Sequence, residues 1–581
     1  MGKNDKDVNV DNIEREILKN LGRQVGEMES GNVADYDPDH TKQNVSYDEA
    51  AYEGSYEGKE SRRKDSRKDG GSGENRRKNS KKDTGSGDSR KKENRKDAGS
   101  GDDHKKDAQK KNTRKDGMSR NREIVIISYI SIALFVGMII YLVNFLASDN
   151  TDMLSNPYNK LQSLLEEYTI RGNILSSDGQ VLATTEVNSK GKEVRKYPYG
   201  RMFAHAVGYS GNGKTGIESQ YNIYLLKSGI NPIDKAVKEL RGEKCTGDSV
   251  VTTLDSGIQK IAYDALGSHR GAVLVMDPDD GSVIAMVSKP DFEPGKIASD
   301  WKNLVKLGGD SVLLNRATQG LYPPGSTFKL ITMIEYMREH PDYASFEYNC
   351  KGTTEIDKVT VNCHNKKSHG KLNIYTALAQ SCNGAFATMG MKLDIGSFNK
   401  TCKSLLFNKK LPYEGVYNQS VFNLPEGSNA GLVTQTSFGQ GKTMITPLHN
   451  GLIACMVANG GCLVTPHLAA SVQSAGGTTL KEFSYSKGKR LLSKKEVSEL
   501  RKAMKEVISS GTAGSLAGRP YKVYGKTGSA EYDSSGESHA WFIGYAKKGD
   551  KKVAVSIVVE GAGTGSEYAV PIARKIFDAY Y

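Results

Sequence analysis

The chain has 581 residues, too many for one average domain, and its net charge of +13 is unevenly spread. Residues 1–58 hold 6 Lys/Arg against 14 Asp/Glu, a net −8, while residues 59–122 hold 24 against 12, a net +12. The basic stretch repeats every 14 residues around Gly-Ser-Gly at 71–73, 85–87 and 99–101. Its Lys, Arg, Asp, Asn and Ser offer too little apolar surface to offset chain entropy, which excludes a folded domain there.

Residues 1–123 therefore read as a disordered tail, with a short helix expected near Val10 to Val25. Interleaved acids and missing aromatics argue against a nucleic-acid partner for the repeat. Its cations suit either anionic lipid headgroups or a solvated spacer. Tyr36, Tyr47, Tyr52 and Tyr56 lie among acids, as in a docking patch or a plain solvated segment.

Residues 124–147 contain no Lys, Arg, Asp or Glu. As a helix they would extend about 36 Å, enough to cross a bilayer with some tilt. Arg114, Lys115, Arg120 and Arg122 precede the run and Ser148-Asp-Asn-Thr-Asp152 follows it. The positive-inside rule predicts a single-pass protein of the cell membrane, with a cytoplasmic N-terminus and everything after Ala147 extracytoplasmic. Chemistry there should not depend on ATP.

Beyond the span the patterns alternate. Gly271–Asp277 and Ser282–Ser288 predict a hairpin over Pro-Asp-Asp-Gly. His539–Ala546 and Val553–Val559 predict two strands joined by Lys-Lys-Gly-Asp, and Glu567–Tyr581 an amphipathic helix. Strands at both ends with helices between predict an α+β domain, a sheet packed on a helical subdomain. Seven cysteines lie after the span. Cys350 and Cys363 are read as closing a short loop in a disulfide. That reading is preferred to zinc on Cys363, His364 and His369, for which no clean second ligand pair is visible. No metal and no cofactor is expected.

Three short motifs carry the chemistry. Ser326-Thr-Phe-Lys329 follows Tyr-Pro-Pro-Gly, and Leu330, Ile331, Ile334 and Met337 then recur at helical spacing. Ser326 should open a buried helix, with Lys329 on the same face. The positive helix end and burial disfavour an ammonium there, so Lys329 can serve as base for a serine lacking a histidine partner. Ser381-Cys-Asn383 lies between helical patterns at 373–380 and 384–393, which suits a loop entering a cleft. Ser381 can relay a proton and Asn383 can hold a substrate amide. Lys526-Thr527-Gly528 should lie on a strand. There Lys526 and Thr527 can hold a carboxylate, and Gly528 lets substrate backbone approach. The N–H groups of Ser326 and Ser529 are candidate oxyanion donors. Each motif alone is weak. Ser61 to Lys64 and Ser484 to Lys487 repeat the first, Ser397 to Asn399 the second and Lys214-Thr-Gly216 the third. Order and local context separate the true set from these copies.

The S-x-x-K, S-x-N, K-T-G set resembles that of the penicillin-binding transpeptidases, specifically the monofunctional class B type. Arg171-Gly-Asn-Ile174, Asp178-Gly179 and Leu182-Ala183 resemble that class's entry to a pedestal domain. Tyr197-Pro-Tyr-Gly200, Ala204-His205, Gly208-Tyr209 and Thr215-Gly-Ile-Glu218 resemble the small-pedestal PbpA-like subgroup. Thr252–Asp255, Gln259, Ser437-Phe-Gly-Gln-Gly441 and Thr446-Pro447 resemble catalytic-domain segments. The resemblance implies a pedestal at 148–250 and a transpeptidase domain, serine β-lactamase-like in fold, at 251–581. It implies crosslinking of peptidoglycan stem peptides through an acyl-enzyme on Ser326, and trapping by β-lactams. About 100 residues before the catalytic domain are too few for a glycosyltransferase domain, so a multi-pass membrane glycan polymerase is the implied partner. The rival readings are a D,D-carboxypeptidase or β-lactamase using the same site, or a β-lactam sensor or division scaffold.

Overall fold

The computed structural model of the chain describes residues 107–147 and 160–581, apart from 307–310, 486 and 532–536. Two units are described. The first is one helix, Asp107–Ala147, of 41 residues. Within it Arg122–Leu142 has a mean hydropathy of 2.5 and no buried residue. The helix ends where the apolar run ends. Its start lies upstream, inside the stretch expected to be disordered, because a formed helix gains one hydrogen bond for each residue added. The helix expected near Val10 lies outside the described residues.

The second unit holds two main sheets. One has five antiparallel strands in the spatial order Lys522–Glu531, Ser538–Lys548, Lys551–Val559, Gly271–Met276 and Val283–Lys289. The hairpin, the strand pair and the terminal helix, here Ala569–Tyr580, all fall where the periodicity predicts them. Every residue of Gly271–Met276 is buried, so both faces of the sheet are covered. Helices Ser256–Leu266 and Ala569–Tyr580 pack on it and on each other. Helix Pro447–Asn459 crosses it so closely that a Cβ on Gly451 would touch Leu274, Met276 and Ser556. The strand bearing the K-T-G motif is an edge of this sheet.

The other sheet has six strands, ordered Thr479–Glu482, Ala469–Gln473, Ser249–Thr252, Ile174–Leu175, Val181–Val187 and Glu193–Lys196. Two of its strands come from far beyond residue 250. Ala469–Gln473 pairs antiparallel with Ser249–Thr252, which in turn runs parallel to Ile174–Leu175. Pairing across more than 200 residues leaves no local signal, so the sequence did not reveal it.

A buried ion cluster holds this end together. Glu218 is fully buried, and its carboxylate meets Arg171 Nε at 2.6 Å and Arg195 Nε at 2.7 Å. Arg171 also donates to Asn222 Oδ1, and Arg195 to the Gly172 carbonyl at 2.7 Å. Burial alone would raise the carboxyl's pKa, but the two guanidiniums outweigh it and hold it below the ordinary value. Gly172 is required because a Cβ there would lie 2.0 Å from the Asp248 carbonyl oxygen. Thus R-G-N-I and T-G-I-E, separate in sequence, are two halves of one contact. Removing the carboxylate leaves two buried guanidiniums facing each other. Glu218→Ala should destabilise the protein by about 3–5 kcal/mol. Thermal unfolding of the full-length protein in detergent should show a drop of several degrees, and an unchanged midpoint would contradict the assignment.

Candidate functional site

Pro323 and Pro324 end an isolated bridge at Tyr322, and the chain then turns through the 3₁₀ turn Gly325–Thr327 into helix Lys329–Glu339. Ser326 lies in the tight turn one step before the regular helix, rather than at its first α-helical turn as expected. The turn is held from three sides. Gly325 N–H donates to the Gly439 carbonyl at 2.9 Å. Trp541 Nε1 donates to the Pro323 carbonyl at 3.1 Å. Gly325, at φ +51°, lies so close to the K-T-G strand that a Cβ would meet the Ser529 oxygen at 2.8 Å. Only glycine accommodates both that dihedral and that approach. Gly439, from Ser437-Phe-Gly-Gln-Gly441, backs the turn equally closely: its Cβ would fall 2.0 Å from the Gly325 oxygen.

Lys329 is fully buried in the first turn of the helix. Its Nζ donates to the Ser381 carbonyl at 2.7 Å, Asn383 Oδ1 at 2.7 Å and Ser381 Oγ at 3.3 Å. It also lies 5.5 Å from the centre of the Phe386 ring. Ser381 sits between helices Ile374–Ala379 and Asn383–Gly390, as expected for an inserted turn. Its φ is +53°, a left-handed conformation costly for a residue with a Cβ. Asn383 donates from Nδ2 to the Asn362 carbonyl at 2.8 Å, which fixes its oxygen toward Lys329.

Lys526, also fully buried, reaches the same hydroxyl from the opposite wall: its Nζ donates to Ser381 Oγ at 2.9 Å and to the Thr527 carbonyl at 2.8 Å. One serine oxygen therefore accepts from two lysines. Burial pushes the Lys329 ammonium down to about 8, against the pull of the Cys382 and Cys363 sulfurs. Burial first, and repulsion from Lys329 second, push Lys526 well below its ordinary value. Thr527 Oγ1 pairs with Thr512 Oγ1, whose main-chain carbonyl accepts from Ser566 Oγ at 2.7 Å. Gly528 is boxed in, since a Cβ would meet Trp541 Cβ at 3.0 Å and the Pro324 oxygen at 3.2 Å.

All eight sequence-predicted residues thus fall in one locus: Ser326 and Lys329 on the helix entry, Ser381 and Asn383 on the turn, and Lys526, Thr527, Gly528 and Ser529 on the edge strand. The copies that fall among the described residues lie elsewhere, and Ser61 to Lys64 lies outside the described residues. Lys214 forms a surface ion pair with Glu166 at 2.8 Å, and Ser397 and Asn399 lie within helix Ile395–Ser404. Sequence reasoning missed Thr512, and it missed a charged brace behind the Gly325–Thr327 turn. In that brace Glu560 binds Arg316 Nε at 2.8 Å, Arg270 Nε at 3.0 Å and Tyr322 OH at 2.7 Å. No motif flags these residues, because each partner lies far away in the chain.

The cysteines correct an expectation. All seven are free, and Cys350 Sγ and Cys363 Sγ lie 3.7 Å apart rather than joined. A third thiol, Cys382, lies 3.7 Å from Cys363, so no single pairing is singled out. Among the described residues, Cys350, Cys363, His369 and Cys382 are the group arranged as a candidate metal cluster. Of the two histidines weighed from sequence, His369 lies within this group and His364 is exposed and outside it.

Comparison with known proteins agrees with this geometry. Residues 271–578 match the penicillin binding protein transpeptidase domain, and residues 171–250 match the penicillin binding protein A dimerisation domain. The chain belongs to the penicillin-binding protein transpeptidase family. It is similar to the peptidoglycan D,D-transpeptidase PbpA of Mycolicibacterium smegmatis, at 28% identity over 73% of this chain and 92% of that protein. It resembles the solved D,D-transpeptidase domain of a peptidoglycan glycosyltransferase from Eggerthella lenta, at 29% identity and TM-score 0.63, covering 71% of this chain and 99% of that one. It likewise resembles penicillin-binding protein A of M. tuberculosis solved as an imipenem acyl-enzyme, at 25% identity and TM-score 0.63, over 71% of this chain and 99% of that one.

The depressed lysines set the pH dependence of any reaction needing a neutral amine here. The base form accumulates above the folded pKa, so the rate of serine acylation should rise as pH climbs through about 8 and level off above it. Stopped-flow acylation by a fluorescent penicillin between about pH 6 and about pH 10 measures this. A rate that is flat, or that falls, across that window would contradict a lysine base.

Proposed function

We propose that the chain is a serine-type peptidoglycan D,D-transpeptidase that crosslinks stem peptides and is trapped by β-lactams. The observation that carries this reading is the Ser381 hydroxyl, held at 2.9 Å by Lys526 and 3.3 Å by Lys329 in a site where both amines are fully buried. That arrangement suits moving a proton between a nucleophile and an amine.

In the proposed sequence, neutral Lys329 takes the Ser326 Oγ proton as Oγ attacks the carbonyl of the penultimate D-Ala. The oxyanion forms beside the N–H groups of Ser326 and Ser529. The C–N bond breaks, and the departing D-Ala amine receives a proton through Ser381. Lys526 and Thr527 hold its carboxylate, and Asn383 orients the peptide amide. The acyl-Ser326 ester is then attacked by the amine of a second stem, whose proton returns by the same relay. A β-lactam enters at the first step but keeps its amine tethered, so the ester persists.

The organisation proposed with this activity is a tail at 1–123, a membrane span at 124–147, a pedestal at 148–250 and the transpeptidase domain at 251–581. Positive charge before the span supports an N-terminus in the cytoplasm and a catalytic domain outside. The residues between the span and the transpeptidase domain match a dimerisation domain, and a multi-pass membrane glycan polymerase is the proposed partner.

Full-length protein in detergent, treated with fluorescent penicillin, should label at Ser326. Ser326→Ala should abolish labelling, and Ser381→Ala should slow it by about 100-fold or more. With a stem-peptide thioester and a D-amino acid, the exchanged peptide should form. Labelling that persists in Ser326→Ala would overturn the nucleophile, and hydrolysed peptide as the only product would favour a carboxypeptidase.

A further inference from the structure

We propose that helix Pro232–Leu240 lies on the bilayer surface and gives the chain a second contact with the membrane. This inference rests on the proposed span at 124–147. At about 100° per residue, Ile233, Val237 and Leu240 fall within an arc of about 60°. They are 71%, 39% and 88% exposed. Asp234, Lys235 and Lys238 take the rest of the circumference. Nine residues form only a marginal helix in water, and packing of the apolar stripe is what normally secures one. Here that stripe faces outward.

Its surroundings point to lipid. Helix Lys160–Tyr168 runs directly into strand Thr169–Ile170, which pairs in parallel with Cys245–Thr246, Thr169 opposite Cys245. Parallel pairing brings Tyr168 and the segment that follows Leu240 to the same end of this ladder. Tyr168 is 67% exposed, and tyrosine favours the membrane–water interface. Only residues 148–159 separate Ala147 from Lys160, at most about 43 Å of chain when fully extended. Arg241 continues the turn, its N–H donating to the Val237 carbonyl at 3.2 Å. That places Arg241 beside the stripe, as Lys238 is, where cations can meet anionic headgroups.

The size of the face separates lipid from protein. The helix is about 14 Å long, and three aliphatic side chains fall far short of the about 800 Å² per partner that a stable protein interface buries. A second copy would need more than this face, although it lies within the matched dimerisation domain at 171–250. A bilayer asks for less. The span already holds the helix near it, so a weak contact is favoured by high local concentration. A single tether limits distance but not tilt. The surface helix would restrict tilt, and so fix how the unit carrying Ser326 stands on the membrane.

The test uses full-length protein in vesicles of phosphatidylglycerol and phosphatidylcholine, with lipids brominated either near the headgroup end or in the middle of the acyl chain. Tryptophan is the reporter, and the signal of the unaltered protein, from Trp301 and Trp541, is subtracted. Leu240→Trp should be quenched about twofold or more by the shallow bromines and less by the deep ones. Lys235→Trp, on the opposite face, should be quenched by neither. Phe135→Trp, inside the span, should be quenched by the deep bromines. Adding Ile233→Asp to Leu240→Trp should bring quenching down to the Lys235→Trp level, with the thermal midpoint unchanged. An unquenched Leu240→Trp beside a quenched Phe135→Trp would overturn the surface helix and leave the span standing. If Phe135→Trp is also unquenched, the span reading falls and this inference falls with it. A blue shift of Leu240→Trp without quenching would mean that protein, a second copy or another partner, covers the face, and would overturn lipid as its occupant. Equal quenching of Leu240→Trp and Lys235→Trp would overturn the oriented face.

Discussion

The active centre depends on one hydroxyl, Ser381 Oγ, shared by two buried lysines. Burying an ammonium costs several kcal/mol unless acceptors replace water. The acceptors here are the Ser381 carbonyl, the Asn383 amide oxygen and the Thr527 carbonyl. Among the described residues no acidic group pairs with these lysines, so the site accepts the amines only by loosening their protons. That is what a base and a relay require. Much of the architecture follows from it. A helix, a turn and an edge strand, contributed by segments 326–329, 381–383 and 526–529, must converge within hydrogen-bond distance while water is kept from both amines.

The pedestal end shows the same physics with the opposite outcome. Glu218 is as deeply buried as Lys329, yet it faces two guanidiniums at 2.6 and 2.7 Å. Opposite charge outweighs desolvation there, and the carboxyl keeps its charge. A group that must not titrate is given counter-charges, and a group that must titrate is given neutral acceptors. Behind the Gly325–Thr327 turn, Glu560 with Arg316, Arg270 and Tyr322 belongs to the first kind, a fixed brace. Its charges are compensated, so it can hold the turn without entering the chemistry.

What was legible in the sequence was what is local or repeated. The hairpin around Pro278–Gly281 and the strands on either side of Gly549 show as unbroken apolar runs between turn residues, and the structure forms them. The three motifs were legible because each is a short segment whose context, a proline-glycine entry, an interhelical turn or a strand, is also local. What stayed hidden is long-range. The Cys350, Cys363, His369 and Cys382 cluster has no paired spacing, and its members lie on successive strand ends and a helix cap. Of the two histidines weighed from sequence, His364 falls outside the cluster, because the chain turns at positive φ through Asn365 and Lys366 before His369 comes round. Thr512 and the strands at 469–482 were invisible for the same reason: nothing nearby in the chain marks them.

Within the proposed chemistry, the shared hydroxyl also bears on why an amine rather than water would finish the reaction. The group that leaves in the first step is an amine, and the relay that protonates it must run backwards in the second. A site that stabilises a departing amine is therefore already shaped for an arriving one. It offers an acceptor at Ser381 Oγ for the proton and donors at Lys526 and Thr527 for the ligand beyond it. Water fills neither role as fully. The preference for transfer over hydrolysis then follows from the geometry around Ser381, and it is only as firm as the turn that holds this residue at φ +53°.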